Sequence, residues 1–369
     1  MILSYFDGVY MSKKISVLII DDSALVRQVL SEIINSSSKL EVIGVARDPI
    51  DAREKIKQLN PDVLTLDVEM PKMDGVTFLK NLMRLRPMPV VMISTLTEAG
   101  ADITLEALEV GAVDFISKPK LDVQGALKEY TAEIIEKLEI AGKAKVREYK
   151  KSVVRVSTEK KLDASVVLEK RTGKIRFKTT DKIVALGAST GGTEAIKEVL
   201  ESLPANAPGI VISQHIPIAF SKSFTERVNK TSLVTVCEPT DGQKIVPGYV
   251  YIAPGDKHLL VERSGAEYIC RLNDGPPVSR HKPSVDVMFR SVAQNVGPNA
   301  MGVMLTGMGA DGAQGMLEMK QQGAYNISQD EDSCVVWGMP GAAVKAGAID
   351  KEFTLSKIGN EIMRYCQDV

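Results

Sequence analysis

Ile183-Val184-Ala185-Leu186-Gly187-Ala188-Ser189-Thr190-Gly191-Gly192 decides how the C-terminal half of this chain is read. An apolar run, residues 183–186, feeds a Gly-x-Ser-x-Gly turn, and a helical pattern follows as far as Ser202. A strand that reverses sharply into a helix strains its turn residue, and small neighbours let the backbone pass close to itself. The serine hydroxyl then stands above the sheet edge, beside helix N-terminal N–H groups that suit a developing oxyanion. The same turn also suits a bound phosphate, or a plain helix cap by Ser189 or Thr190. The pentapeptide fixes a strand-turn-helix and leaves its chemistry to the rest of the chain.

Outward from that turn, 369 residues suffice for two domains with separate cores. With 46 Lys+Arg against 47 Asp+Glu there is no net charge to favour nucleic acid or a membrane surface. No apolar run reaches eighteen residues, so no membrane insertion is expected. Cys237, Cys270, Cys334 and Cys366 are scattered without a C-x-x-C pair, as expected of reduced thiols in a cytoplasmic protein. Residues 1–10 lack the basic start and apolar core of a signal peptide, and Met11-Ser12-Lys13-Lys14 reads as the natural beginning. The leading ten residues are therefore expected to be a mis-assigned start or a disordered extension.

Apolar runs at 15–20, 40–46, 63–66, 90–93 and 114–116 each precede a helical pattern. Five βα units predict a doubly wound parallel sheet over residues 13–141. Between 142 and 181 the rhythm fails and basic residues dominate, which reads as a charged, solvated interdomain linker. From 182 to 369 the βα rhythm resumes, with strands at 183–186, 210–213 and 301–305. Short β-runs at 249–252, 259–262 and 268–272 predict an antiparallel excursion from that second parallel sheet. The fold class is thus α/β, with two doubly wound parallel-sheet domains.

In the first domain, Asp21 and Asp22 end the first strand, Asp67 the third and Ser94 the fourth, and Lys118-Pro119 follow the fifth. All fall at the C-terminal sheet edge, where converging carboxylates repel unless a cation such as Mg²⁺ is bound. A metal beside a lysine and a hydroxyl can neutralise a transferring phosphoryl group, with Asp67 as the natural acceptor. Singly, Asp22 and Ser23 read as a helix cap and Asp67 as a loop acid. Jointly, Ile19-Ile20-Asp21-Asp22-Ser23, the segment from Leu66-Asp67 to Asp74-Gly75, and Lys118-Pro119 resemble the flavodoxin-like receiver domain of two-component response regulators. The resemblance implies phosphorylation of Asp67 by a histidine kinase, phosphoryl contacts from Ser94 and Lys118, and Mg²⁺ held by Asp21, Asp22, Asp67 and the Glu69 carbonyl. Phe115 stands where receivers carry Tyr or Phe, so any switch through that ring must work by packing.

A nucleophilic Ser189 needs a base, and the chain has three histidines: His215, His258 and His281. His215 ends the strand after the nucleophile helix, on the same sheet edge as Ser189. His258 precedes a β-run and reads as structural or exposed. His281 lies in a loop with Arg280 and Lys282, which read either as surface charges or as contacts for acidic neighbours of a substrate. Asp311, in Leu305-Thr306-Gly307-Met308-Gly309-Ala310-Asp311-Gly312, follows another strand and could orient His215 or simply cap a helix. The order Ser, His, Asp is not the Ser, Asp, His of α/β-hydrolases. Together with the receiver, the Gly187–Gly192 turn, Ser213-Gln214-His215, Thr306–Gly312 and Trp337-Gly338-Met339-Pro340-Gly341 resemble the chemotaxis receptor methylesterases, the CheB family.

That resemblance implies a Rossmann-like catalytic domain that hydrolyses glutamate γ-methyl esters on methyl-accepting chemotaxis receptors, some members also deamidating receptor glutamines. It implies Ser189 as nucleophile, His215 as base, Asp311 as orienter, and backbone N–H groups of Met308 and Thr190 as the oxyanion site, with no cofactor for the esterase reaction. Joining a receiver to a hydrolase implies control: the receiver covers the Ser189 edge until Asp67 is phosphorylated, and the face around Ser94 and Phe115 then repacks. The competing reading is a response regulator whose C-terminal domain is a non-catalytic binding module. A DNA-binding output is disfavoured, since no basic recognition stripe or helix-turn-helix is evident.

Overall fold

The computed structural model describes residues 13–70, 73–94, 98–118, 126–144, 146 and 182–367. Residues 1–10, Pro119 and all of 142–181 except 142–144 and 146 lie outside the described residues, and with them the expectations for the chain start and the linker.

The first sheet consists of β1 (Ile15–Ile20), β2 (Leu40–Ala46), β3 (Val63–Asp67), β4 (Val90–Ser94) and β5 (Asp114–Ser117). They are all parallel, in the order β2-β1-β3-β4-β5. Strands β3 and β4 are buried throughout, which is why they read as nearly continuous apolar runs rather than as alternation. The period of two still sorts their side chains: Val17, Ile19, Val63 and Val91 face α1 (Ala24–Asn35) and α5 (Ala126–Ala141). Leu18, Ile20, Leu64 and Val90 face α2 (Pro49–Leu59), α3 (Gly75–Leu85) and α4 (Glu98–Val110).

The second sheet has seven parallel strands, ordered β14-β13-β12-β6-β7-β9-β8. They are β6 (Ile183–Ala188), β7 (Gly209–Gln214), β8 (Thr235–Cys237), β9 (Tyr249–Ile252), β12 (Ala300–Met304), β13 (Tyr325–Gln329) and β14 (Lys351–Phe353). Helices α6 (Gly192–Glu201), α7 (Ile218–Thr231) and α11 (Leu355–Gln367) cover one face. Helices α8 (Val285–Asn295), α9 (Ala313–Gln321) and α10 (Met339–Lys345) cover the other. Strand order reverses between β6 and β12, and a doubly wound sheet opens its ligand crevice at such a point.

The antiparallel excursion is narrower than the sequence pattern implies. Among the described strands only β10 (His258–Ser264) and β11 (Glu267–Asn273) pair antiparallel. Residues 249–252 instead join the main sheet in parallel, between β7 and β8. Val250, Tyr251 and Ile252 are all buried, an environment that a half-solvated hairpin would not provide. Strands β13 and β14 and helices α10 and α11, absent from the sequence reading, complete the far side of the sheet.

The domains share a seam. The apolar core on the α4 side of the receiver runs continuously into the core under α6 and α7. Phe115 is buried and packs on Phe220 of α7, with ring centroids 4.5 Å apart.

Candidate functional site

Two clusters occupy the C-terminal sheet edges. In the first domain Asp21 and Asp67 are fully buried and Asp22 is exposed. One carboxylate oxygen from each can be drawn within 4.8 Å of the others. Lys118 Nζ donates to Asp67 Oδ2 at 2.7 Å and stands 3.8 Å from Asp21 Oδ2. Asp67 Oδ1 accepts the Glu69 N–H at 3.2 Å, and Asp21 Oδ1 the Ser23 N–H at 2.8 Å. Asp21 Oδ2 is buried with no hydrogen-bond partner among the described residues. Burial pushes the Asp67 carboxyl up to about 6, against the hydrogen bond from Lys118, and raises Asp21 as well. Two buried acids with one lysine and an orphaned oxygen fit a hard divalent cation. Ser94 Oγ accepts from Thr104 Oγ1 at 2.8 Å. Ser23 is indeed the cap of α1, whereas Asp67 is buried and not a loop acid.

At the second edge, the sequence around Ser189 folds as a turn because Gly191, at φ 75°, takes the left-handed backbone that begins α6. Neither Ser189 nor Thr190 caps that helix: Gly191 is its N-cap, without a side-chain bond. Ser189 Oγ instead lies 3.0 Å from His215 Nδ1, and His215 Nε2 lies 2.8 Å from Asp311 Oδ2. The Asp311 carboxylate opposite fixes the tautomer, with Nε2–H donating to it and Nδ1 free to accept from the serine. The ring is thus presented opposite to the chymotrypsin-type triad, where Nε2 faces serine.

Asp311 does not cap the helix that follows it, since Gly312, at φ 89°, stands there. It binds instead at the start of α8, accepting Val285 N–H at 2.8 Å, Asp286 N–H at 3.1 Å and Ser284 Oγ at 2.9 Å. Burial alone would raise Asp311; His215 and these N–H groups outweigh it and hold the carboxyl below its ordinary value.

Met308 and Thr190 line the same cavity as Ser189, and neither backbone N–H meets an acceptor among the described residues. The cavity, about 870 Å³, is walled by both domains: Tyr130, Glu133, Glu136 and Lys137 of α5 face His215, Arg280 and His281. Thr190 Oγ1 donates to receiver Asp114 at 2.5 Å, and Arg280 pairs with Glu136 at 3.3 Å. Beside the cavity, Glu109 of α4 accepts from both Lys197 and Arg227 across the seam.

Two histidines take places that the sequence left open. His281 stacks on His215, centroids 3.7 Å apart and planes 10° from parallel. Burial, with His215 alongside, pushes its imidazole down to about 4. His258 is buried, which agrees with the structural reading, and sits behind Ser284. Arg280, exposed at 72%, reaches the receiver, so the surface-charge reading is incomplete. Its turn is tight: Ser279 and Arg280 both have positive φ, and Val278 and His281 exchange backbone bonds. No glycine marks that turn, and His281 carries no periodic signal, so neither was legible beforehand. Trp337 lies near the active edge, in a β-bridge with Gly307.

The comparisons with known proteins cover both halves of the chain. A family model described as CheB methylesterase matches residues 184–362, and one described as response regulator receiver domain matches residues 17–127. A protein of Hydrogenovibrio crunogenus named protein-glutamate methylesterase/protein-glutamine glutaminase is 57% identical over 95% of this chain and 98% of its own. One of Geobacter metallireducens, named protein-glutamate methylesterase/protein-glutamine glutaminase 1, is 53% identical over 96% of this chain and 97% of its own. The solved CheB methylesterase catalytic domain of Thermotoga maritima is 36% identical, covering 50% of this chain and 98% of that one, with a TM-score of 0.49. With relatives this similar along nearly its whole length, and with a receiver sheet preceding a seven-stranded domain that carries the Ser189 turn, the chain belongs to the CheB family of receiver-linked methylesterases.

Proposed function

We propose that this chain is a phosphorylation-regulated serine esterase that hydrolyses glutamate γ-methyl esters on methyl-accepting chemotaxis receptors, releasing methanol, and that deamidates receptor glutamines at the same site. The observation that carries the reading is the hydrogen-bonded line from Ser189 Oγ through His215 to Asp311. The names of the full-length relatives support the substrate class. No described helix is long and apolar enough to cross a membrane, which suits a cytoplasmic enzyme acting on receptor tails.

Ser189 Oγ attacks the ester carbonyl carbon as its proton passes to His215 Nδ1. Asp311 holds the ring and stabilises the imidazolium. The Met308 and Thr190 N–H groups hold the tetrahedral oxyanion, which fits their lack of acceptors. Collapse breaks the C–O bond to methoxide, which takes the proton from Nδ1 and leaves as methanol; a glutamine loses ammonia by the same route. Water then attacks the glutamyl-serine ester, His215 again receiving its proton, and the free carboxylate departs.

Regulation resides in the other cluster. Asp67 accepts a phosphoryl group from a histidine kinase, while Lys118 and Ser94 contact the transferred group. Asp21, Asp22, Asp67 and the Glu69 carbonyl would hold Mg²⁺, a fit supported by the orphaned Asp21 oxygen. When bound, that ion neutralises charge on the phosphoryl oxygens. In the resting state β5 and α5 cover Ser189, with Asp114 on Thr190 and Phe115 on Phe220. Phosphorylation acts by repacking this buried ring, since Phe115 has no hydroxyl to switch.

The test is methanol release from methylated receptor membranes. Ser189→Ala is expected to lower the rate by at least about 10⁴-fold, the scale of losing a triad nucleophile. Retained release would overturn the catalytic assignment and favour a binding module.

A further inference from the structure

Asp311 is held by more than the histidine it orients. Its Oδ2 accepts Val285 N–H and faces His215, while Oδ1 accepts Asp286 N–H and the Ser284 hydroxyl, 2.9 Å away. A carboxylate offers about four acceptor positions, so all are filled and the group is fixed against rotation. Besides His215, Ser284 is the partner that donates to Asp311 through a side chain, and it is fully buried; the Asp286 carboxyl, raised by its burial and by Asp311, lies against the same carboxylate.

Ser284 is itself located from behind. Its backbone N–H donates to His258 Nδ1 at 3.1 Å, so that nitrogen is an acceptor and the ring proton sits on Nε2. His258 Nε2 donates to the Pro276 carbonyl at 3.0 Å. The imidazole is 2% exposed, and both of its nitrogens are committed to backbone. A buried polar line therefore runs from the Pro276 carbonyl through His258 and Ser284 to Asp311, and on to His215 and Ser189. In a low-dielectric setting each link sharpens the placement of the next.

We propose that Ser284 is a positioning residue for the esterase reaction and that His258, on the far side of Asp311 from the nucleophile, holds it in place. The inference rests on the esterase reading of Ser189, His215 and Asp311. Ser284 touches no substrate atom. Its hydroxyl spreads the Asp311 charge and sets the angle at which the carboxylate meets His215. A donor that touches only the orienting carboxylate affects the transition state, in which the imidazolium forms, more than substrate binding.

The experiment uses the full chain on methylated receptor membranes and compares Ser284→Ala, Ser284→Thr, His258→Leu, the double variant His258→Leu/Ser284→Ala, and Ser189→Ala. Ser284→Ala is expected to lower kcat about 10–100-fold with KM nearly unchanged. The acid limb of its pH–rate profile is expected to move to higher pH, because Asp311 then presents a less dispersed charge to His215. Ser284→Thr, which keeps the hydroxyl, restores most of kcat and the original limb. The double variant is expected to be no slower than Ser284→Ala, as for two links of one line. An unchanged kcat and pH profile in Ser284→Ala overturns the proposal, as does a loss that threonine leaves unrescued. Ser284 also caps α8, accepting Val287 N–H at 3.4 Å, so a Ser284→Ala chain that fails to fold is replaced by near-isosteric Ser284→Cys, a poor donor expected to show the same kcat loss and limb shift. Full activity in Ser189→Ala would instead remove the esterase reading beneath it.

Discussion

The two sheet edges of this molecule are finished to different degrees. At the catalytic edge Asp311 has four partners, His215 has a partner on each nitrogen, and the line to Ser189 is closed. At the receiver edge Asp21 keeps a buried oxygen with no hydrogen-bond partner among the described residues, and two buried acids share one lysine. The first site is assembled in advance and has to be covered to be silent. The second is left short of positive charge and is completed by what it binds. Regulation then consists of a change in an incomplete site moving the cover from a complete one, which requires two packings that differ by only a few kcal/mol.

The contrast sharpens first at His281, part of the completed edge. Its imidazole is pushed down to about 4 by burial, from an ordinary value near 6.5, so the fold favours the neutral ring. Unfolding at pH between those values takes up a proton, and stability is lost as pH falls from about 6.5 to about 4 and levels off below. Urea unfolding of the chain and of His281→Asn at pH 7 and pH 4.5 should differ in this slope by about 2–3 kcal/mol. Equal slopes would mean that the stacked ring is hydrated and the edge less closed than described.

The cover itself is probed at Glu109, which meets Lys197 and Arg227 at the seam. These groups are partly exposed, so the pairing is worth about 1–2 kcal/mol after screening. Glu109→Ala should raise basal methanol release about 5–30-fold by shifting the covered population. A variant no faster than the parent would place the cover's stability entirely in apolar contacts such as Phe115 on Phe220. A smaller effect belongs to the unfinished edge. Mg²⁺ at about ten times its Kd should stabilise the parent by about 1.4 kcal/mol, a rise of a few degrees in melting temperature. Asp21→Asn should abolish that rise, and an undiminished rise would place the ion elsewhere.

Much of both sites was legible because parallel βα folds put function at strand ends. Asp21, Asp67, Ser189 and His215 each terminate or directly follow an apolar run, and Gly191 and Gly312 mark turns only glycine accepts easily. Ser284 was assigned no role, and His281 read only as a surface charge or substrate contact and not as a ring stacked on His215, since both lie in irregular chain between β11 and α8. The seam was equally hidden: Glu109 and Arg227 are 118 residues apart, and each alone reads as one charge on a solvated helix face. The misread segment 249–252 failed for another reason. A four-residue apolar run fits a hairpin and a core strand equally, and only its burial on both faces decides.

The coupling of the two edges is tested most directly by methanol release from methylated receptor membranes, for the parent chain and Asp67→Asn, with and without the cognate histidine kinase, ATP and Mg²⁺. The expected result is a rise in the parent alone, with the basal rates of the two chains alike. The same rise in Asp67→Asn, or none in the parent, would contradict control of Ser189 by the charge on Asp67.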